Sequence, residues 1–133
     1  MRMLMALFLL TTSLLSLGAL FSGGDYPEQV LPSDLPVGNV LAAVGLCCLA
    51  GAALFLSPPG SIRNRASSLA LFVAIIWLPL SIALAGNLAL NFSGLRGATW
   101  LAVSSLTVIA VLGSFLWAVT GLLLDSSGKS SAA

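Results

Sequence analysis

Apolar residues run along this chain in four long stretches, and the polar positions between them are few and short. Counting residues between charged side chains gives charge-free windows at 3–24, 35–62, 66–95 and 97–124, that is 22, 28, 30 and 28 residues. A helix needs about 20 apolar residues to cross roughly 30 Å of hydrocarbon. Each window therefore holds one spanning helix with short margins, and none holds two. The pattern predicts an all-α membrane protein, an up-down bundle of four transmembrane helices in a single domain.

The polar breaks set the expected bounds. The first helix is expected over 3–21, after the basic Arg2, and the loop over 22–37. A basic start, an apolar run and small residues near Ser16 and Gly18 also describe a cleavable signal peptide. Retention is favoured, and both alternatives leave residues 22–37 on one side. The second helix is expected over 38–56 and stops at Ser57-Pro58-Pro59-Gly60, because proline lacks an N–H donor and restricts its predecessor. An inner loop at 57–66 leads to a third helix over 67–88, an outer loop at 89–97, a fourth helix over 98–124 and a short disordered tail at 125–133.

Charge then orients the threading. With the N-terminus inside, Arg2, Arg63, Arg65 and Lys129 fall on the inner side, and Arg96 with Asp25, Glu28 and Asp34 on the outer side. By the positive-inside rule this predicts an N-in/C-in topology. Trp100 and Trp117 lie 17 residues apart, about 26 Å along a helix, which suits one indole near each interface. Trp77 falls mid-helix and does not fit that belt.

Composition narrows the chemistry. Of 133 residues 59% are hydrophobic, 7% are charged and none is histidine. Mean hydropathy is +1.10. Too little charge remains to coat a water-soluble body, and the net charge of +1 points to no nucleic-acid partner. The commonest proton shuttle and the commonest zinc ligand are missing. No acidic or basic residue lies inside an expected span, although pumps and proton-coupled carriers usually keep one there. Neither paired carboxylates nor a nucleophile–base pair is evident, so no enzyme and no cofactor is expected. Cys47 and Cys48 are helix neighbours that project about 100° apart and read as small core residues rather than a metal grip.

Packing signals are stronger than chemical ones. In lipid, helices meet closely where residues are small. Asn39, Ala43, Cys47 and Gly51 form one small stripe at successive i+4 positions, and Ala102, Ala110, Ser114 and Ala118, with Leu106 between, form another. Hydroxyls at Thr11, Thr12, Ser13, Ser16, Ser104, Ser105 and Thr107 are expected to bond within or between helices. Pro79 is expected to kink the third helix. Asn39, Asn87 and Asn91, with that kink, form a candidate outer site for a solute or lipid. Asn91-Phe92-Ser93 also matches a glycosylation sequon. The outer loop, with Asp25, Tyr26, Glu28 and Asp34 and three prolines, is expected to be extended and to offer acidic contacts to a partner.

The functional expectation is a non-catalytic accessory or structural subunit of a larger membrane complex, contributing helix and lipid-contact surface. The alternative is a small oligomeric transporter or channel for a neutral or lipid-like solute. The expected partners are membrane lipid, other membrane subunits and, in the alternative, further copies of the chain. The nearly loop-free build favours a bacterial inner membrane, with an organellar inner membrane as the other location.

Overall fold

The computed structural model describes residues 1–25, 29–86 and 94–130, with the backbone alone for 128–130. It is all helical: α1 (Arg2–Phe21), α2 (Val37–Leu56), α3 (Ile62–Ala85) and α4 (Gly94–Ser130). All four are long and apolar enough to cross a membrane. At 1.5 Å per residue α1 and α2 reach about 30 Å, α3 about 36 Å and α4 about 55 Å.

Cross-helix hydrogen bonds give the directions. Arg2, Ser13 and Ser16 of α1 bond to Ser57, Gly45 and Leu41 in turn, so α1 and α2 run antiparallel. Asn64 meets Leu54 while Ser81 meets Asn39, which sets α3 antiparallel to α2. Arg63 meets Asp125, and Ala83 meets Arg96, which sets α4 antiparallel to α3. The predicted up-down alternation holds. Arg2, Arg63 and Arg65 consequently gather at one end of the bundle, and Asp25, Asp34 and Arg96 at the other.

The helices do not form a square. Among the described residues α2, α3 and α4 pack mutually, whereas α1 touches α2 alone. The most apolar window of α2 is 56% buried, against 17% for α1 and 22% for α3. α2 is thus the axis of the fold, and its sequence explains why. Of its 11 buried residues eight are glycine or alanine, from Gly38 to Ala53, so three neighbours can approach its backbone. Leu17 of α1 lies against Gly45, where an added Cβ would come within 2.6 Å of its side chain. Leu9 lies against Gly51 in the same way. The facing stripes on α3 (Ala70, Ala74, Trp77, Ser81) and α4 (Thr107, Val111, Ser114, Ala118) alternate steps of four and three, the spacing that keeps one helical face inward.

Several bounds differ from expectation. α3 begins at Ile62 rather than 67, because Ser61 caps it by accepting the Asn64 N–H at 3.1 Å. The basic connector therefore shrinks, and Arg63 and Arg65 sit in the first helical turn. α3 ends at Ala85 with Gly86 at φ 72°, a left-handed conformation suited to glycine. α4 begins at Gly94, which places Arg96 inside a helix rather than in a loop. At its far end α4 continues through Ser130, where a disordered tail was expected. No proline interrupts it, an established helix propagates cheaply, and Asp125 is tied to Arg63. Residues 29–37 are also not extended. Leu31 and Asp34 close a tight turn, and the Val37 N–H bonds the Gln29 carbonyl at 2.9 Å. Asp34 adopts φ 59° there.

Candidate functional site

Two groupings of polar side chains stand out, one toward each end of the three-helix core. Toward the acidic end, Asn39 is fully buried near the start of α2, whose N-cap is Pro36. Its Nδ2 donates to Ser81 Oγ at 2.9 Å and to the Gly86 carbonyl at 3.1 Å. Trp100 Nε1 donates to the same Ser81 hydroxyl at 2.8 Å. Ser81 therefore accepts from α2 and α4 at once and joins three helices at one atom. Deeper in the core, Trp77 Nε1 donates to Ser104 Oγ at 2.9 Å. That bond accounts for an indole off the interface belt: a buried Trp places its N–H on a partner.

Arginines occupy helix termini at both ends, Arg2, Arg63 and Arg65 at the basic end and Arg96 at the other. Arg2 donates to the carbonyls of Leu54, Phe55 and Ser57, where the C-terminal carbonyls of α2 lack intrahelical partners. A cation there also complements the helix dipole. Arg96 does the same for α3 at the other end, reaching the Ala83 carbonyl at 2.6 Å. Arg63 instead crosses α4, lying over Gly121, and pairs with Asp125 at 2.8 Å. Any Cβ at position 121 would collide with the guanidinium, so glycine is what lets this side chain cross.

The expected site residues divide as follows. Asn39, Ala43 and Gly51 are buried in helix contacts and Cys47 is half-buried. Ser114 and Ala118 face the core, whereas Ala102 and Ala110 lie on the exposed side of α4. A strict i+4 row turns about 40° per step, so it winds off the contact face within a few turns. Pro79 is exposed on α3 while its neighbour Ser81 is buried, so the structure does not bring Pro79 and Asn39 together. Asp25 and Asp34 are exposed. Tyr26, Glu28, Asn87 and Asn91 lie outside the described residues, as does the sequon.

Of the serine and threonine hydroxyls, Ser13 and Ser16 cross to α2 at 2.8 Å each, while Thr11, Thr12 and Thr107 bond back to their own helices. Among the described residues every buried side-chain nitrogen or oxygen has a hydrogen-bond partner. No three His, Cys, Asp or Glu side chains come together there in a way that could hold a metal ion. Sequence reasoning passed over Ser81, Arg2 and the Arg63–Asp125 pair. The off-belt position of Trp77 and the hydroxyls at Ser13, Ser16 and Ser104 were the signals pointing to the cross-helix bonds. No family model, curated protein or solved structure matches this chain. Its class is an all-helical protein with four helices able to cross a membrane.

Proposed function

We propose that this chain is a non-catalytic accessory subunit of a larger membrane assembly, embedded in a bacterial inner membrane with both termini on the cytoplasmic side. It contributes helix faces and lipid contact rather than chemistry. The observation that carries this reading is the open build around α2. Among the described residues α1 touches only α2, and the outward faces of α1, α3 and α4 carry Leu4, Phe8, Leu15, Phe72, Ile75 and Ile109, all exposed. The orientation rests on Arg2, Arg63 and Arg65 at one end, by the positive-inside rule.

The polar groups favour the same reading over a transporter. A solute path needs polar atoms turned toward the solute. Here Asn39, Ser81, Trp100, Trp77 and Ser104 bond to one another or to backbone across the core. The test is purification in mild detergent from the native membrane, followed by reconstitution. Stable co-migration with larger, unrelated membrane subunits, and no solute flux from the chain alone in liposomes, is the expected result. A discrete homo-oligomer that conducts a neutral solute would refute it and establish the transporter. Reporter fusions at the two termini test the orientation, and an outside location for either one refutes it.

A further inference from the structure

Two adjoining hollows lie along one face of the α3–α4 seam. One, about 330 Å³, lies between Leu69, Val73, Ile109, Gly113 and Trp117. The other, about 360 Å³, lies at the basic end between Ile62, Trp117, Gly121, Arg63 and Asp125. Trp117 lines both, so they are neighbours along the seam. The first hollow is apolar, and Ser114 beside it donates to its own helix at Val111. The hollow at the end is different, because it contains a cation and an anion side by side.

Those two charges are unequally available. The Arg63 side chain is 18% exposed and sunk against Gly121, whereas that of Asp125 is 60% exposed. The carboxylate thus keeps an open flank after pairing. Arg65, exposed and next to the groove residue Ala66, has no ion pair among the described residues. Reading along the seam from the basic end gives Arg63, one accessible carboxylate and then an apolar groove, with the exposed Arg65 outside the lining of either hollow.

We propose that this cleft holds a single phospholipid with a primary-amine zwitterionic headgroup, phosphatidylethanolamine. One acyl chain fills the apolar groove, the phosphate faces Arg63 and Arg65, and the ammonium donates to Asp125. The proposal deepens the lipid-contact role and rests on the helices spanning a bilayer. Charge complementarity selects the head. A choline head offers no N–H to the carboxylate, and a glycerol head brings no cation to it. Hydrogen bonds between charged partners are the stronger kind, so the ammonium–carboxylate contact is the one that discriminates.

The experiment is native mass spectrometry of the full chain, released from nanodiscs holding equal phosphatidylethanolamine, phosphatidylcholine and phosphatidylglycerol with matched acyl chains. One lipid is expected per chain, with ethanolamine favoured about fivefold, the ratio one exposed charged pair supplies at its upper range. Asp125→Asn frees Arg63 and is expected to turn the preference toward phosphatidylglycerol. Gly113→Leu, which fills the groove, is expected to lower retention of all three lipids. Equal retention of the three headgroups, or an unchanged preference in Asp125→Asn, overturns the proposal. So does a lipid-free dimer closed over this face. Thermal unfolding of each variant verifies folding, and Arg65→Gln, exposed and lowering all phosphate-bearing lipids alike, provides a second readout. Co-purification with larger subunits has no bearing on the headgroup ratio, so this proposal and the accessory role fail separately.

Discussion

Replacing Ser81 with alanine removes one oxygen and two interhelical hydrogen bonds. The hydroxyl accepts Asn39 Nδ2 from α2 at 2.9 Å and Trp100 Nε1 from α4 at 2.8 Å, in a position only 1% exposed. Interhelical bonds in membrane proteins contribute on average ~0.6 kcal/mol and reach ~1.7 kcal/mol. Two of them sum to about 1–3 kcal/mol. Ser104→Ala removes one such bond, from Trp77, and should cost about half as much. Ser68→Ala is the internal control, because that exposed hydroxyl bonds only to the Asn64 carbonyl one turn back on α3. Reversible unfolding in bicelles, followed by tryptophan emission, gives the three free energies on one scale. The expected order of cost is Ser81→Ala, then Ser104→Ala, then Ser68→Ala near zero. If Ser81→Ala proves no more costly than Ser68→Ala, the shared acceptor does not hold the three helices together.

Glycine positions supply a second comparison. Gly45→Val drives a side chain into Leu17 and should loosen α1 from α2 at a cost of about 1–3 kcal/mol, while Gly113→Ala meets open space and should be neutral or slightly stabilising. Limited proteolysis between α1 and α2 reads the first, and equal protection of both variants counts against close packing at Gly45. Pro79→Ala should be tolerated or stabilising, because it restores an N–H on an exposed face of α3. A loss of fold there would mean that the proline sets the positions of Trp77 and Ser81. Arg63→Gln should cost no more than about 1 kcal/mol in stability, the range of exposed ion pairs, and the cost should shrink as salt rises. A cost that salt leaves unchanged would assign the effect to packing over Gly121.

The four helices were legible because charge is so scarce that its positions mark the polar boundaries within a few residues. Errors at the ends share a cause. Arginine marks a loop in the sequence pattern, yet Arg63, Arg65 and Arg96 all lie in helices, and the long side chains of Arg63 and Arg96 reach a carboxylate and a carbonyl from there. Small-residue stripes located α2 as a contact helix, and its Gly and Ala content is what makes it the axis. On α4 Ala102 and Ala110 lie on the exposed side, because small size alone does not tell a face packed within the chain from an outward one. Ser81 was invisible for another reason. A lone serine in an apolar helix carries no signal until Asn39 and Trp100, 42 residues before it and 19 after it, are brought to the same atom.

The attachment of α1 to α2 alone, among the described residues, has a consequence for how the chain is made. The partners of Arg2, Ser13 and Ser16 all lie within the next 55 residues of sequence, at Gly45, Leu41 and Ser57 among others. As the chain leaves the ribosome, this first hairpin can zip shut before the later helices exist. The face of α2 left over is then a ready template on which the second hairpin docks.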